Sequence, residues 1–198
     1  MYKTLLSVVM LGAAFTTTAS AAPVYSPITG SYYDYVNQDQ NTGQYRGWTW
    51  LEAKADAESR TYQGRQGHLV TLTSQAEEQI LRDNWWADIL YGQPHIGGFR
   101  AAGADPVTGW QWVTGETFGY TNWRQGEPNN AGGLEVYLHY QSTDVASTTQ
   151  YVTWGWNDML NEVRPYFIEY SAPVPEPSVL ALLAVGGAVT ARRRRRTN

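Results

Sequence analysis

The chain has 198 residues, enough for one domain with targeting segments at its ends. Its formal charge is −4, but six of its 14 basic residues are Lys3 and Arg192 to Arg196, so the rest of the chain sets eight basic residues against 18 acidic ones. Such an acidic body is a poor partner for nucleic acid or anionic lipid. Cysteine is absent, so no disulfide stabilises the fold.

Residues 1–21 have the pattern of a signal peptide. Lys3 precedes an apolar run from Leu5 to Phe15, and Ala19-Ser20-Ala21 has the small residues of a cleavage site. We predict export, with cleavage after Ala21. A buried helix is the alternative, but it accounts for neither the charge nor the small residues.

The next segment, residues 22–46, is rich in Tyr, Asn and Gln, and a first strand is predicted near Ser31 to Val36. Thr49 and Glu52 have the spacing of a capping box, which predicts the start of a helix. Three apolar residues share one face of this helix: Trp50, Ala53 and Ala57.

A strand is predicted over His68 to Leu72, and a second capping box, Ser74 with Glu77, predicts a second helix. Further strands are predicted at Ile96 to Phe99, Trp110 to Trp112, Tyr137 to Tyr140, Tyr151 to Trp154 and Pro165 to Tyr170. The last strand closes the sheet, so the ends of the domain are expected to meet. The predicted class is α+β.

The histidines and the paired tryptophans offer no catalytic centre. His68, His95 and His139 fall in different elements, and none has a catalytic partner at a recognisable spacing, so we expect them to be packed or on the surface. Trp85-Trp86 could form a sugar-stacking platform, but the pair lies far in sequence from the polar cluster below. We expect it to pack.

Oxygen-bearing side chains gather in a stretch without helical or strand periodicity. Gly126-Glu127-Pro128-Asn129-Asn130, Glu135 and Trp156-Asn157-Asp158 together supply three carboxylates beside carboxamides. Calcium takes about 6–8 such oxygen ligands, whereas zinc and redox metals prefer Cys or His. A cis bond before Pro128 would turn the flanking side chains to one side. The alternative is that these residues form ordinary turns.

Several motifs in one order resemble those of C-type lectin-like domains, over about Gly47 to Tyr170. They are Thr49 to Ala53, Gly67 to Val70, Ile96 to Phe99, Trp110 to Trp112, Asn122-Trp123, Gly126 to Asn130, Glu135, Trp156 to Asp158 and Phe167 to Tyr170. The resemblance implies one domain over residues 47–171, with two helices, two small antiparallel sheets and a long loop region.

The resemblance also implies a site in which vicinal sugar hydroxyls complete the coordination of a calcium ion. Five residues match the ligand positions of that site and would bind both the metal and the sugar: Glu127, Asn129, Glu135, Asn157 and Asp158. The Glu-Pro-Asn order resembles the version associated with mannose-type sugars.

Some positions depart from the family pattern. Asn130 and Val136 stand where a second calcium site has acidic residues, so one calcium is expected. Paired cysteines of the family would fall at Ala57 with Ile168 and at Tyr137 with Asn161, and an apolar contact is expected to replace the first pair. A polar insertion, residues 141–150, could lie across or beside the site.

The tail, residues 172–198, has its own pattern. Pro175-Glu176-Pro177 is followed by an apolar run from Val179 to Ala191 and by five arginines. The run is shorter than the roughly 20 residues of a free-standing membrane helix, but it could span briefly, with the arginines on the cytoplasmic side. The layout resembles the PEP-CTERM signal of Gram-negative bacteria, which implies processing by an exosortase-type membrane enzyme.

The sequence therefore predicts an exported, calcium-dependent carbohydrate-binding protein at the bacterial surface or in exopolysaccharide, and not an enzyme. The first alternative is an adhesion or structural module in which calcium only orders the loop. The second is a glycosidase that uses Glu127 and Glu135 as its carboxylate pair, which coordination of calcium by both groups would prevent.

Overall fold

The computed structural model describes residues 21–39, 42–143 and 153–172. The predicted leader, apart from Ala21, the sorting tail from residue 173 and most of the 141–150 insertion lie outside these ranges. Within them, no helix has both the length and the apolar character needed to cross a membrane.

The described residues form two helices and nine short strands. The helices are α1 (Trp50–Ser59) and α2 (Gln75–Gly92), and a short 3-10 helix covers Ala131–Gly133. The strands are β1 (Val24–Tyr25), β2 (Tyr32–Val36), β3 (Thr61–Tyr62), β4 (Arg65–Leu69), β5 (His95–Arg100), β6 (Trp110–Trp112), β7 (Tyr137–Thr143), β8 (Thr153–Met159) and β9 (Tyr166–Tyr170).

The strands join into one mixed sheet. Its main path runs β1-β2-β9-β5-β7-β8, with β4 on β9, β3 on β4 and β6 on β5. All pairs are antiparallel except β5 and β9, which meet in parallel at His95 and Tyr166. The predicted α+β class is confirmed, and this parallel contact connects the two expected small sheets. β9 lies beside β2, so the ends of the domain meet as predicted.

Both helices begin at the predicted capping boxes. In α1 the Glu52 N–H donates to Thr49 Oγ1 at 3.3 Å, while the Thr49 N–H donates to Glu52 Oε2 at 2.9 Å. Ser74 and Glu77 make the same reciprocal pair at α2. Each pair satisfies two backbone donors that a helix start otherwise leaves free. The α1 face of Trp50, Ala53 and Ala57 is buried as expected.

Two apolar clusters form the core. The larger cluster lies between α2, the sheet and the long loop, and Trp112 and Trp156 meet in it edge to face at 5.5 Å. The smaller lies under α1 and contains Ala57 and Ile168, both fully buried. The positions of one expected disulfide are therefore occupied by apolar side chains in one cluster.

Several predicted strands have different bounds. The strand expected at Tyr137 to Tyr140 extends to Thr143, and two others differ more. The strand expected over His68 to Leu72 instead covers Arg65–Leu69. Beyond it, the Val70 N–H donates to the Phe167 carbonyl at 3.1 Å, and the Val70 carbonyl accepts from the Gly97 N–H at 2.8 Å. The strand expected at Tyr151 to Trp154 continues to Met159, since β7 pairs with it down to Tyr137. Asn157 and Asp158 therefore lie in a strand rather than in a loop.

Candidate functional site

The long loop is fastened to β8 at Trp156. The Trp156 N–H donates to the Asn122 carbonyl at 2.7 Å, and the Arg124 N–H donates to the Trp156 carbonyl at 2.9 Å. Gly155 permits this approach, because a Cβ there would lie 2.6 Å from the Arg124 nitrogen. These bonds hold the segment before Glu127 against the strand that carries Asn157 and Asp158.

Asp158 connects the two halves of the predicted ligand set. Its side chain is fully buried, and its two carboxylate oxygens accept the N–H groups of Asn129 at 3.0 Å and Asn130 at 2.8 Å. Residues almost 30 positions apart in sequence are thus in direct contact. Since each carboxylate oxygen has two lone pairs, both retain acceptor capacity.

Glu127 lies at the same loop and is paired with a cation of the protein. Its Oε1 accepts from Arg124 Nη2 at 2.8 Å, and only 3% of its side chain is exposed. Its Oε2 is buried and accepts no hydrogen bond. The bond between Glu127 and Pro128 is cis.

Glu135 and Asn129 converge on one backbone group. The Ala131 N–H lies 2.8 Å from Asn129 Oδ1 and 2.7 Å from Glu135 Oε2. Burial raises the pKa of Glu135, the Ala131 N–H lowers it, and the negative charges of Asp158 and Glu127 raise it further. The three predicted carboxylates are therefore near enough to repel one another.

Asn157 is turned towards a buried histidine. Its Nδ2 donates to His139 Nε2 at 3.0 Å and to the Asp158 carbonyl at 2.5 Å. Burial lowers the pKa of His139 to about 3, so the ring is neutral at physiological pH. His139 Nδ1 lies 3.4 Å from the Gln93 carbonyl, which favours a proton on Nδ1 and leaves Nε2 to accept from Asn157. Asn157 Oδ1 remains its only possible cation ligand.

The structure therefore brings Glu127, Asn129 and Glu135 of the loop to Asp158 of β8, and it points the amide nitrogen of Asn157 away from them. No group of three or more His, Cys, Asp or Glu side chains in the described ranges forms a cluster that could hold a metal ion. The donor set nevertheless fits a hard cation, because all its ligand atoms are oxygens and Glu127 Oε2 is a buried acceptor without a donor. The metal ligands remain a prediction.

Sequence reasoning did not find four residues that position this site. Arg124 balances the charge of Glu127, His139 orients Asn157, and Arg100 donates to Asn130 Oδ1 through Nη2 and to the Ala104 carbonyl through Nη1 at 3.0 Å. Arg124 lies two residues before the cluster and could have been noticed. The others act across the sheet, where the sequence carries no signal.

Glu78 is the fourth of these residues. This buried carboxylate in α2 accepts four hydrogen bonds: from Tyr120 Oη at 2.5 Å, Asn122 Nδ2 at 2.9 Å, Tyr140 Oη at 3.1 Å and Trp156 Nε1 at 2.8 Å. It thereby joins α2, the long loop, β7 and β8 behind the site. Trp85 and Trp86 pack as expected: Trp85 lies against Phe167, and Trp86, which is 37% exposed, meets Trp154 edge to face at 5.2 Å.

A solved structure has the same architecture. The C-type lectin domain of murine dendritic cell inhibitory receptor 2, in complex with N-glycan, superposes with a TM-score of 0.55 at 20% identity, covering 77% of this chain and 100% of that one. The domain has the C-type lectin fold. Its two helices, its mixed sheet and the loop that carries Glu127 to Glu135 are the parts of that fold described above.

The chain also matches two relatives by sequence, and a family model matches its tail. Halomucin of Haloquadratum walsbyi is 32% identical over 165 residues, which are 77% of this chain but 2% of halomucin. Ladderlectin of Oncorhynchus mykiss is 41% identical over 93 residues, 46% of this chain and 43% of ladderlectin. The chain thus spans less than half of either relative. Residues 173–196 match the PEP-CTERM protein-sorting motif, which indicates export and cell-surface sorting.

Proposed function

We propose that this chain is an exported protein that binds carbohydrate in a calcium-dependent way, with Glu127, Asn129, Glu135, Asn157 and Asp158 as its metal and sugar ligands. The observation that carries the proposal is the contact of the Asp158 carboxylate with the backbone of Asn129 and Asn130, at 3.0 and 2.8 Å. It unites ligands from β8 with those of the Glu-Pro-Asn loop. The similarity to ladderlectin supports binding of carbohydrate.

Calcium, when bound, supplies a positive centre that accepts lone pairs from two vicinal sugar hydroxyls. The chain provides the hydrogen bonds around those hydroxyls. The Glu127 and Glu135 carboxylates accept hydrogen bonds from the hydroxyls, and the Asn129 amide donates one to them. Asn157 can donate as well only if its Nδ2 leaves His139 or the Asp158 carbonyl. Hydrogen bonds to charged groups contribute about 1.5–3 kcal/mol each, which helps a shallow site to hold one sugar. We expect the affinity for a single sugar to be weak all the same, so that useful binding needs multivalency.

The position of Arg100 favours one bound calcium ion over two. Its guanidinium is buried and donates to Asn130, one of the two residues that replace the acidic ligands of a second site. A fixed positive charge there opposes a further cation. The Glu-Pro-Asn order fits the mannose-type version of the site.

The proposed cellular setting follows from the two ends of the chain. The leader directs export from a Gram-negative cytoplasm, and an exosortase-type enzyme processes the tail near Pro175-Glu176-Pro177. Before that step the apolar run holds the chain in the membrane. The processed protein then binds exopolysaccharide or a neighbouring cell, without catalysis.

Calorimetry and a glycan array test this proposal. We expect one calcium ion per chain, glycan binding that a chelator abolishes, and competition by free mannose. Glu127→Gln and Asp158→Asn should remove calcium uptake, while Glu162→Gln, an equal charge change on an exposed side chain near Glu135, should not. Absence of calcium uptake by the intact protein would contradict the proposal. Calcium uptake with binding that no sugar competes would favour the adhesion module.

A further inference from the structure

Asp34 lies in β2 beside the point where the predicted leader ends. Its half-buried side chain lines two cavities, of about 460 and 640 Å³. Ala21 and Ala22 line both of these cavities too. The predicted cleavage site after Ala21 is therefore adjacent in space to a carboxylate of the folded domain.

The strand register defines this proximity. β1 and β2 are antiparallel, with Val24 opposite Tyr33 and Tyr25 opposite Tyr32. Continuing the register by one residue places Pro23 opposite Asp34, and the next step places Ala22 opposite Tyr35. From the spacing and rise of antiparallel strands, the Cα atoms of Ala22 and Asp34 are about 6 Å apart. An aspartate side chain spans most of the remaining distance to a terminal nitrogen.

Asp34 has no close cationic partner among the described residues. Burial raises its pKa to about 6, while the Tyr35 N–H and then the charge of Arg60 act in the opposite direction. Arg60 is engaged by Asp56, with 2.6 Å from its Nη2 to Asp56 Oδ2. None of the ion pairs in the described part of the chain includes Asp34. The other titratable groups around the two cavities are Tyr35, Asp56, Arg60, Tyr62, Asp88 and Tyr170.

We propose that leader removal creates the counter-ion of Asp34, because the new α-ammonium group of Ala22 pairs with its carboxylate and fixes β1 to the sheet edge. Hydrolysis of the Ala21–Ala22 bond by a leader peptidase consumes one water, leaves a carboxylate on Ala21 of the departing leader and leaves an ammonium on Ala22. Before cleavage the same nitrogen is an uncharged amide. The ordinary pKa of an α-amino group is about 7.7–8.0, so it is charged at neutral pH.

If the proposal holds, removal of the leader reverses the pH dependence that Asp34 gives to the stability of the fold. In the uncleaved chain the folded-state pKa of Asp34, about 6, lies above the ordinary value, so the contribution of Asp34 to stability is greatest below about pH 4 and falls as pH rises towards 6. In the processed chain the paired carboxylate has a lowered pKa. Its contribution is then present above about pH 4, is lost as pH falls below that value, and is also lost when the ammonium deprotonates above about pH 8.

The test compares a chain that begins at Ala22 with one that begins at Ala19, both ending at Asn198, each with and without Asp34→Asn. NMR titration of the Asp34 carboxyl should give a pKa of about 6 in the longer chain and below about 4 in the shorter one. At pH 7, Asp34→Asn should raise the Tm of the longer chain and lower that of the shorter one. Asp83→Asn, the same charge change outside both cavities, should act alike in the two chains.

Two results would overturn the inference. One is an equal pKa of Asp34 in the two unsubstituted chains, a measurement that does not require the Asp34→Asn variant to fold. The other is N-terminal sequencing of the exported protein that finds a first residue other than Ala22. Neither result bears on the proposed sugar site, which lies at the Glu127 to Glu135 loop.

Discussion

Substitution of Glu78 tests how hydrogen bonds stabilise the long loop that carries the proposed sugar site. Glu78→Gln keeps the size of the side chain but removes its charge and replaces one acceptor oxygen by an NH2 group. Oε1 accepts from Tyr140 and Trp156, and Oε2 accepts from Tyr120 and Asn122, so an amide nitrogen at either place faces two donors. A tyrosine hydroxyl can rotate and accept instead, whereas an indole N–H cannot.

The expected loss follows from these four bonds. The two bonds that remain each weaken by about 1 kcal/mol when their acceptor becomes neutral, and one stranded donor costs about 1–3 kcal/mol. Relief from burying an uncompensated charge offsets part of this sum. We expect Glu78→Gln to lower the free energy of unfolding by about 2–4 kcal/mol, which corresponds to a Tm lower by about 5–15 °C.

Urea unfolding and thermal scans of the purified protein measure this loss. Glu58→Gln is the matched control, because Glu58 makes an exposed pair with Lys54 at 2.6 Å whose loss costs less than about 1 kcal/mol. Tyr140→Phe removes one donor and should cost less than Glu78→Gln. A Glu78→Gln protein within about 0.5 kcal/mol of the parent would refute the role assigned to this carboxylate.

Three further outcomes are expected. Gly155→Ala should lower the free energy of unfolding by about 1–3 kcal/mol, because the new Cβ would lie 2.6 Å from the loop backbone. In the same urea assay Gly119→Ala, whose new Cβ would have its nearest neighbour at 3.9 Å, should leave the free energy of unfolding unchanged. Arg124→Ala leaves the Glu127 carboxylate without its partner at 2.8 Å, so Tm should fall more in chelator than in calcium, and equal losses in both buffers would contradict the cation proposal. Burial lowers the pKa of His95 to about 4, so below pH 6.5 the unfolded chain takes up a proton that the folded chain does not. His95 should therefore contribute a fall in stability of about 1.4 kcal/mol per pH unit as pH drops from about 6.5 to 4. Because buried His139 adds a slope of the same sign, His95→Gln should make the slope shallower by about that amount, not remove it, in urea titrations at several pH values.

The sequence predicted those parts of the fold that local chemistry specifies. Both helix starts were found because a capping box, such as Thr49 with Glu52, lies within one turn and needs no tertiary partner. The bounds of β8 were missed because they depend on pairing with β7. The orientation of Asn157 is a product of the same pairing, since the register that places His139 opposite Asn157 also provides the acceptor for its amide.

The predicted site residues could be recognised by their oxygen atoms, but the residues that position them could not be recognised in that way. Arg124 and Arg100 look like ordinary loop and strand residues in the sequence, and only the folded chain places them on Glu127 and Asn130. Glu78 follows the capping residue Glu77 and has no distinguishing spacing of its own. Such residues are recognised by what they face after folding.

The contacts that attach the long loop to β8 lead to an expectation about calcium removal. The loop is attached to β8 by backbone bonds at Trp156 and by the Asp158 carboxylate, and both attachments are made entirely by protein atoms. A chelator should therefore abolish sugar binding while near-UV circular dichroism of the tryptophans stays native. A chain without cysteine cannot rely on the roughly 2–4 kcal/mol of a disulfide, and the buried contacts around Trp156 and Ala57 take that role. Collapse of the near-UV signal on chelation would instead mean that the cation holds the loop in place.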